Sequence, residues 1–229
     1  MSDADSIRDR RVQYETAGLD TADVAADPIA QWQQWYDQAL EAGCVEPNAM
    51  VVSTVDAEGL PDSRYVLARG VSAEGVTFFT NYDSAKSRAL EGWPHTSALF
   101  TWLQLHRQMK LRGPVVRIPD AESDAYFATR PRSSQIGAWA SPQSQVLADR
   151  AELEQRVADV TAHFADAETI PRPPNWGGWR IIVVEAEMWQ GRPSRLHDRF
   201  RFRRPTERDL TSDADTGEPP AWIIERLAP

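Results

Sequence analysis

Near the C-terminus of the chain, Trp176-Gly177-Gly178-Trp179 is followed by Trp189-Gln190-Gly191-Arg192 and then by Arg195-Leu196-His197-Asp198-Arg199. Indole, imidazole and guanidinium groups at this density are costly to bury together unless something planar and anionic lies among them. The stretch therefore reads as a seat for a cofactor or substrate, with its glycines supplying tight turns. More cations stand at the ends of apolar runs or just after them: Arg64, Arg69, Lys86 and Arg130. Arg forks match phosphate oxygens two at a time, and Lys acts as a point charge. Ser84, Ser134 and Ser144 offer hydroxyl donors, Gln108 and Gln143 suit the polar edge of a heteroaromatic ring, and Trp189 suits its face. This inventory fits a flat phosphorylated ligand better than a sugar or a peptide. Taken singly, each Arg reads more readily as a surface ion-pair partner.

Other chemistries lack their signatures. No GxGxxG follows a strand, and no Walker A loop, HExxH or GxSxG elbow occurs. His95, His106, His163 and His197 are not at metal-ligand spacing, and the single cysteine, Cys44, cannot complete such a site. Net charge is −9, against the basic surplus of a nucleic-acid binder. A local cluster of cations in an acidic protein binds a small anion by geometry, not by bulk attraction. The longest aliphatic run, Ile181 to Val184, is too short for a bilayer. The acidic start Met1-Ser2-Asp3-Ala4-Asp5 lacks an apolar core, and one cysteine suits a reducing compartment, so a cytoplasmic protein is expected.

The elements that must position these groups follow in order. Residues 1–26 are polar and read as an N-terminal arm, mobile or folded over a site through Arg11 and Tyr14. The remainder, 27–229, reads as a single domain. Asp27-Pro28 opens a helix with Ile29, Trp32, Trp35, Tyr36, Ala39 and Leu40 on one face, ended by Gly43. Strands are predicted at 50–55, 63–69 and 76–80, then a short helix carrying Lys86 and Arg88. Strands follow at 97–103, 108–112 and 115–118. Short turns between them imply antiparallel pairing in a barrel or sandwich. A helix runs from Pro119-Asp120 to Tyr126-Phe127. Residues 130–141 read as a polar stretch, 144–166 as a longer helix with Leu147, Leu153, Val157, Val160 and Phe164 as its apolar side. Strands are expected at 180–188 and 222–227, with an exposed loop at 204–220.

In family spacing, the chain resembles the pyridoxamine/pyridoxine 5′-phosphate oxidases. The resemblance runs from Tyr14 to Pro229. It is carried by Glu46-Pro47-Asn48-Ala49-Met50, Ser63-Arg64-Tyr65-Val66-Leu67, Phe78-Phe79-Thr80-Asn81-Tyr82 and His106-Arg107-Gln108. It continues through Tyr126-Phe127, Arg130-Pro131-Arg132-Ser133-Ser134-Gln135-Ile136-Gly137-Ala138-Trp139 and Gln143-Ser144. The C-terminal stretch above and Arg226-Leu227-Ala228-Pro229 complete it. The resemblance implies an α+β, mainly β fold, an FMN-binding split antiparallel β-barrel with flanking helices. It also implies a homodimer with FMN at the interface, to which segment 176–229 contributes. Arg64, Tyr65, Val66, Leu67, Arg69, Phe79, Thr80, Lys86, Gln108, Gln143, Ser144, Trp189 and Arg199 then match flavin-binding positions. Arg69, Tyr126, Arg130 and Ser134 match the substrate-phosphate cradle. Arg195 and His197 match a catalytic pair against the pyridine ring, and Arg11 and Tyr14 the arm over the site. Trp176-Gly177-Gly178 is read as scaffold. Two positions depart from the family pattern: Arg69 replaces a usual Lys, and Ala85 a frequent Arg.

The implied activity is FMN-dependent oxidation of pyridoxamine or pyridoxine 5′-phosphate to pyridoxal 5′-phosphate. Oxygen accepts the electrons, hydrogen peroxide is released, and the amine substrate also yields ammonia. Three other readings remain: a flavin oxidase of another aromatic, such as a phenazine precursor; a non-catalytic FMN or pyridoxal-phosphate binding protein; and a split-barrel dimer without ligand. No nucleic-acid or membrane partner is expected.

Overall fold

The computed structural model describes residues 14, 16, 18–206, 209 and 221–229. Its described residues are mainly β, with ten strands and five α-helices. They form two compact units, one drawn from Ala49–Ala98 and Arg112–Val183, the other from Met1–Asn48, Leu99–Leu111 and Val184–Pro229. Below, these are the central and the terminal unit. Strands β5 (His95–Trp102) and β6 (Arg107–Arg117) each run through both.

In the central unit, β1 (Ala49–Val55) pairs antiparallel with β2 (Pro61–Leu67), with Val52 opposite Arg64. The Asp56 carboxylate closes their turn by accepting from the Glu58 and Leu60 amides, and Gly59 takes the left-handed conformation with φ of 83°. The short β3 (Gly70–Ser72) pairs with β4 (Gly75–Asn81), β4 with β7 (Trp176–Ile181), and β7 with Val115–Arg117 of β6. Strand β4 is buried on both faces along nearly its whole length, as its unbroken run Val76-Thr77-Phe78-Phe79-Thr80 requires. Helix α2 (Ala85–Gly92) follows it directly. Helices α3 (Asp120–Ala128) and α4 (Arg132–Ala140) each begin just after a proline, Pro119 and Pro131. Helix α5 (Arg150–His163) is capped by Asp149, whose carboxylate accepts from the Glu152 amide. Phe127, Ile136, Phe164, Ile170 and Trp176 form the core under these helices.

The terminal unit is built on α1 (Pro28–Glu41), whose start is fixed by the Asp27 carboxylate accepting from the Ile29 and Ala30 amides at 2.8 and 3.1 Å. Its buried face sets Trp32 edge-on to Phe100 and Trp35 edge-on to Trp102. Strands β8 (Glu185–Gln190), β9 (Asp198–Arg203) and β10 (Ile223–Leu227) make an antiparallel meander, with Trp189 opposite Arg199. Buried and half-buried residues alternate along β8, so one face packs and the other carries the charged groups.

Several expectations change. The strands expected at 108–112 and 115–118 are one, β6: Gly113-Pro114 does not break it. The single strand expected at 180–188 is two, β7 and β8, separated at 182–184. Residues 130–141 are largely helical, because the missing Pro131 amide falls where a helix start leaves that donor unpaired. The helix expected over 144–166 is confined to Arg150–His163, and Leu40 is exposed instead of facing the core. Strand β3 has no counterpart in the pattern reading. Arg11 and most of the loop expected at 204–220 lie outside the described residues.

Gly177 and Gly178 do not form a turn; they lie in β7. A Cβ at Gly177 would come within 2.2 Å of the Tyr82 hydroxyl oxygen, and one at Gly178 within 2.4 Å of Ile118 Cδ1. Bare backbone is needed here so that Tyr82 can cross the strand and donate to the Gly178 carbonyl at 3.2 Å. Gly177→Ala is expected to destabilise the protein by about 2–3 kcal/mol through overpacking. An unchanged urea midpoint would contradict this account of the β7 glycines.

Candidate functional site

The central unit holds a cleft of about 680 Å³. Its lining includes four cations, Arg64, Arg69, Lys86 and Arg130, and no Asp or Glu. In a protein of net charge −9 this is a concentrated positive site.

Each cation is placed by a different element. Arg64 projects from β2 and donates to the Val52 carbonyl at 3.1 Å and to Thr54 Oγ1 at 2.9 Å, and it pairs with Asp62. Arg69 follows β2, its amide bonded to the Thr77 carbonyl at 2.8 Å. Lys86 stands in the first turn of α2, buried at 8% exposure. Its three ammonium donors reach Thr80 Oγ1 at 3.0 Å, Gln143 Oε1 at 3.1 Å and Ser84 Oγ at 3.3 Å. All three acceptors are neutral. Burial, with the Arg64 cation adding to it, pulls the Lys86 pKa down to about 8.

Arg130 follows α3. Its guanidinium lies 4.7 Å from the Trp176 ring centre and 5.5 Å from that of Phe127. One of its terminal nitrogens, Nη1, is buried with no hydrogen-bond partner in the protein. Burial lowers its pKa, the Tyr126 hydroxyl opposes that, and the neighbouring Arg69 cation adds to it. One wall of the cleft is an aromatic stack. Phe79 lies 4.0 Å from Tyr126 and 5.3 Å from Trp176, with planes within 17° and 9°. The arrangement presents cations, hydroxyls of Tyr126 and Ser134, and flat apolar faces: it suits a phosphorylated planar molecule.

The terminal unit assembles a second cluster. His197 packs against Trp189 at 4.5 Å between ring centres. Tyr14 stacks on His106 at 4.1 Å and lies 6.0 Å from His197. Gly191 makes room for this, since a Cβ there would meet Tyr14 at 2.6 Å. Thr16 donates to the Gly191 carbonyl, and the Leu19 amide donates to Asp198 at 3.0 Å. Arg199 is held by Glu187, whose Oε1 accepts from Nε at 2.9 Å and Nη2 at 2.7 Å. Lys110 meets the other Glu187 oxygen at 2.7 Å. Burial would raise the Glu187 pKa, but its bonds from Lys110 and Arg199 outweigh that and hold it low.

The sequence-predicted residues thus fall into two groups. Arg64, Tyr65, Val66, Leu67, Arg69, Phe79, Thr80, Lys86, Tyr126, Arg130, Ser134 and Gln143 line the central cleft. Ser144, in the left-handed region with φ of 69°, is exposed and does not line it. In the terminal unit, Tyr14, Trp189 and His197 share one cluster and Arg199 pairs across from Trp189. Arg195 is exposed on the turn before His197, and Gln108 stands in β6. Trp176 is a correction: it lines the cleft and is not scaffold alone. Asn81, Ser141, His106 and Glu187 were missed. Asn81 and His106 lie in motifs that carry the resemblance but are given no role by them, Ser141 adjoins such a motif, and nothing in the local pattern singles out Glu187.

Residues 36–164 match the family model described as pyridoxamine 5′-phosphate oxidase, and residues 176–229 that of the pyridoxine 5′-phosphate oxidase C-terminal dimerisation region. A pyridoxine/pyridoxamine 5′-phosphate oxidase of Saccharopolyspora erythraea is 46% identical over 100% of both chains. One from Cupriavidus necator is 47% identical over 97% of this chain and 99% of its own. Among solved structures, PhzG of Burkholderia lata, in complex with tetrahydrophenazine-1-carboxylic acid, matches with TM-score 0.81 and 27% identity over 93% of this chain and 99% of its own. A pyridoxamine 5′-phosphate oxidase-related, FMN binding protein of Nostoc punctiforme has TM-score 0.63 at 16% identity over 86% of this chain and 97% of its own, a likeness of fold. The chain has the mainly β, split-barrel fold of these relatives.

Lys86 gives the cleft a pH signature. With its pKa at about 8, it is cationic below that pH and loses its charge as pH rises through it, well before an ordinary lysine would. Affinity for sulfate, whose own charge is constant over this range, is expected to fall between pH 7 and 9 in titration calorimetry. Lys86→Gln should flatten that fall. A flat profile for the unmodified protein would contradict the buried-lysine account.

Proposed function

The chain belongs to the pyridoxamine 5′-phosphate oxidase family, and from that premise we propose that it oxidises pyridoxamine 5′-phosphate, pyridoxine 5′-phosphate or both to pyridoxal 5′-phosphate, using FMN and oxygen. The observation that carries the reading is the buried, unpartnered Nη1 of Arg130, beside Arg69 in a cleft without a carboxylate. A buried guanidinium nitrogen without a hydrogen-bond acceptor is costly unless an anion completes it. A phosphate monoester does so, and Arg69, Tyr126 and Ser134 supply the remaining contacts of the cradle.

The donor set also fits FMN. Arg64 and Lys86 offer charge to a phosphate, while Tyr65 to Leu67, Phe79 and Thr80 offer backbone and flat surface. Gln108, Gln143, Ser144, Trp189 and Arg199 complete the set that the resemblance assigns to the flavin. When bound, FMN would supply the two-electron acceptor for oxidation at the substrate carbon, with oxygen as the final acceptor. The protein's share is positioning and electrostatics. The phosphate cradle fixes one end of the substrate, and Arg195 and His197 lie against its ring. The alcohol gives the aldehyde and hydrogen peroxide; the amine also consumes a water and releases ammonia.

The match of residues 176–229 to a dimerisation region supports a homodimer, and we place FMN at its interface. Residues 1–26 would act as an arm over the site, with Arg11 and Tyr14 as its contacts. No helix among the described residues is long and apolar enough to cross a membrane. The lone cysteine, Cys44, is free and buried, which supports a reducing compartment, and we take the location as cytoplasmic. A second reading, oxidation of a phenazine-type ring, draws on the likeness to PhzG. A ring carboxylate such as that of the tetrahydrophenazine acid would also meet Arg130, so the preference for a phosphorylated B6 ring rests on the family match and the relatives' names.

Two outcomes are expected. Anaerobic pyridoxine 5′-phosphate should bleach the flavin absorbance of the purified protein, with unphosphorylated pyridoxine far less effective. Equal bleaching by both, or by neither, would remove the phosphate-directed reading. Ala85, exposed at the start of α2, leaves space for a larger side chain. Ala85→Arg is expected to tighten FMN about tenfold, one charge-assisted hydrogen bond, as read by flavin fluorescence quenching.

A further inference from the structure

His197 is engaged at one ring nitrogen by a group that can only donate. The Arg192 amide points at His197 Nδ1 at 3.1 Å. A backbone N–H has no lone pair to offer, so Nδ1 must carry the lone pair and no proton. In the neutral ring the proton then sits on Nε2.

The chain invests in this contact. Between Arg192 and His197 lies a tight turn, Pro193–Arg195, closed by the Leu196 amide on the Pro193 carbonyl at 3.2 Å. Ser194 and Arg195 both take the left-handed region, with φ of 57° and 62°. Two successive non-glycine residues there cost of order 1 kcal/mol each, and such conformations persist where surrounding structure demands them. Here the turn brings residue 197 back onto the amide of residue 192. The ring is also clamped by Trp189 at 4.5 Å, so rotation that would swap its nitrogens is opposed by packing. Burial and the Arg195 cation both disfavour a charged imidazolium, with Asp198 opposing them.

We propose that the Arg192 amide locks His197 in the Nε2–H tautomer, so that its free face is a hydrogen-bond donor that orients an acceptor atom on the substrate ring and does not take a proton from the substrate. Nδ1, the only basic nitrogen of that tautomer, is occupied by backbone. This role rests on the oxidase reading for its substrate, while the tautomer is a property of the protein alone.

The two are separated by measuring each. Long-range proton–nitrogen correlation spectra of the uniformly labelled, FMN-loaded protein without substrate, at pH 8, report the tautomer of each of the four histidines. The His197 pattern is identified by its loss in His197→Gln. Nδ1 is expected to resonate as a bare, pyridine-type nitrogen and Nε2 as a protonated, pyrrole-type one. The reverse pattern would overturn the proposal even if pyridoxine 5′-phosphate is oxidised. The expected pattern without oxidation of any phosphorylated B6 ring would sustain the tautomer and sink the substrate reading beneath it.

The variants give a second readout. A Gln amide places an N–H near the position of Nε2, and Ala places none. If the ring is a donor, His197→Ala raises KM by about tenfold, the loss of one neutral hydrogen bond, and His197→Gln recovers most of that loss. If instead both variants lower kcat alike by about a hundredfold or more, as removal of a general base would, the donor role is overturned.

Discussion

The cost of holding positive charge in a lining without a carboxylate governs the cleft of the central unit. Lys86 is almost fully buried among Thr80, Ser84 and Gln143, all neutral acceptors, and Arg130 lies against Trp176 and Phe127 with one nitrogen unpaired. Desolvation at such sites costs several kcal/mol per ion when nothing compensates it. The rest of the unit is arranged to sustain it. Strand β4 supplies Phe79 and Thr80 from a segment buried on both faces, and α2 follows so closely that Lys86 can reach back to Thr80. The bare backbone of Gly177 and Gly178 lets Tyr82 and Ile118 pack over β7, and that strand carries Trp176 into the cleft wall.

Away from the cleft the cations are paired, Arg172 with Asp120 and Asp124 and Arg180 with Glu122 in the central unit, and others in the terminal unit. Arg199 and Lys110 share Glu187, and Arg201 and Arg203 share Glu225. These are cross-strand pairs on the half-buried face of a meander, where ion pairing fixes geometry more than it adds stability. Arg199 is thereby held in one orientation before any ligand arrives. A paired arginine is a rigid hydrogen-bond donor with its charge partly spent; an unpaired one is an anion seat. The same residue type does both jobs in this chain.

That distinction marks the limit of what the sequence discloses. The capping pair Asp27-Pro28, the apolar stripe of α1, the β4 run and the cations of the cleft are visible in residue order. The fusion of two expected strands into β6 is not, because Gly113-Pro114 breaks most strands and is tolerated here by its place in the pairing. The helix at Arg132–Ala140 was hidden by its polar composition: its burial is confined to Gln135, Ile136 and Ala140, and its orientation is fixed by Arg132 donating to the Ala167 and Phe164 carbonyls some thirty residues away. Gly177 and Gly178 look like turn residues in one dimension. Their meaning, close approach of Tyr82 and Ile118, exists only in three. The contacts of His106 with Tyr14 and of Glu187 with Arg199 and Lys110 are hidden for the same reason: each joins residues remote in sequence.

The replacement of a usual Lys by Arg69 follows the same logic. A lysine beside Arg130 would bring a compact, strongly hydrated charge whose pKa falls readily in such surroundings, as that of Lys86 does. An arginine stays protonated next to another arginine and spreads its charge over a planar fork. Two neighbouring forks present donors in fixed planes, which constrain the orientation of a tetrahedral oxyanion more tightly than a point charge does. The departure exchanges a point charge for a planar fork, so what the cleft offers at this position is geometry as well as charge.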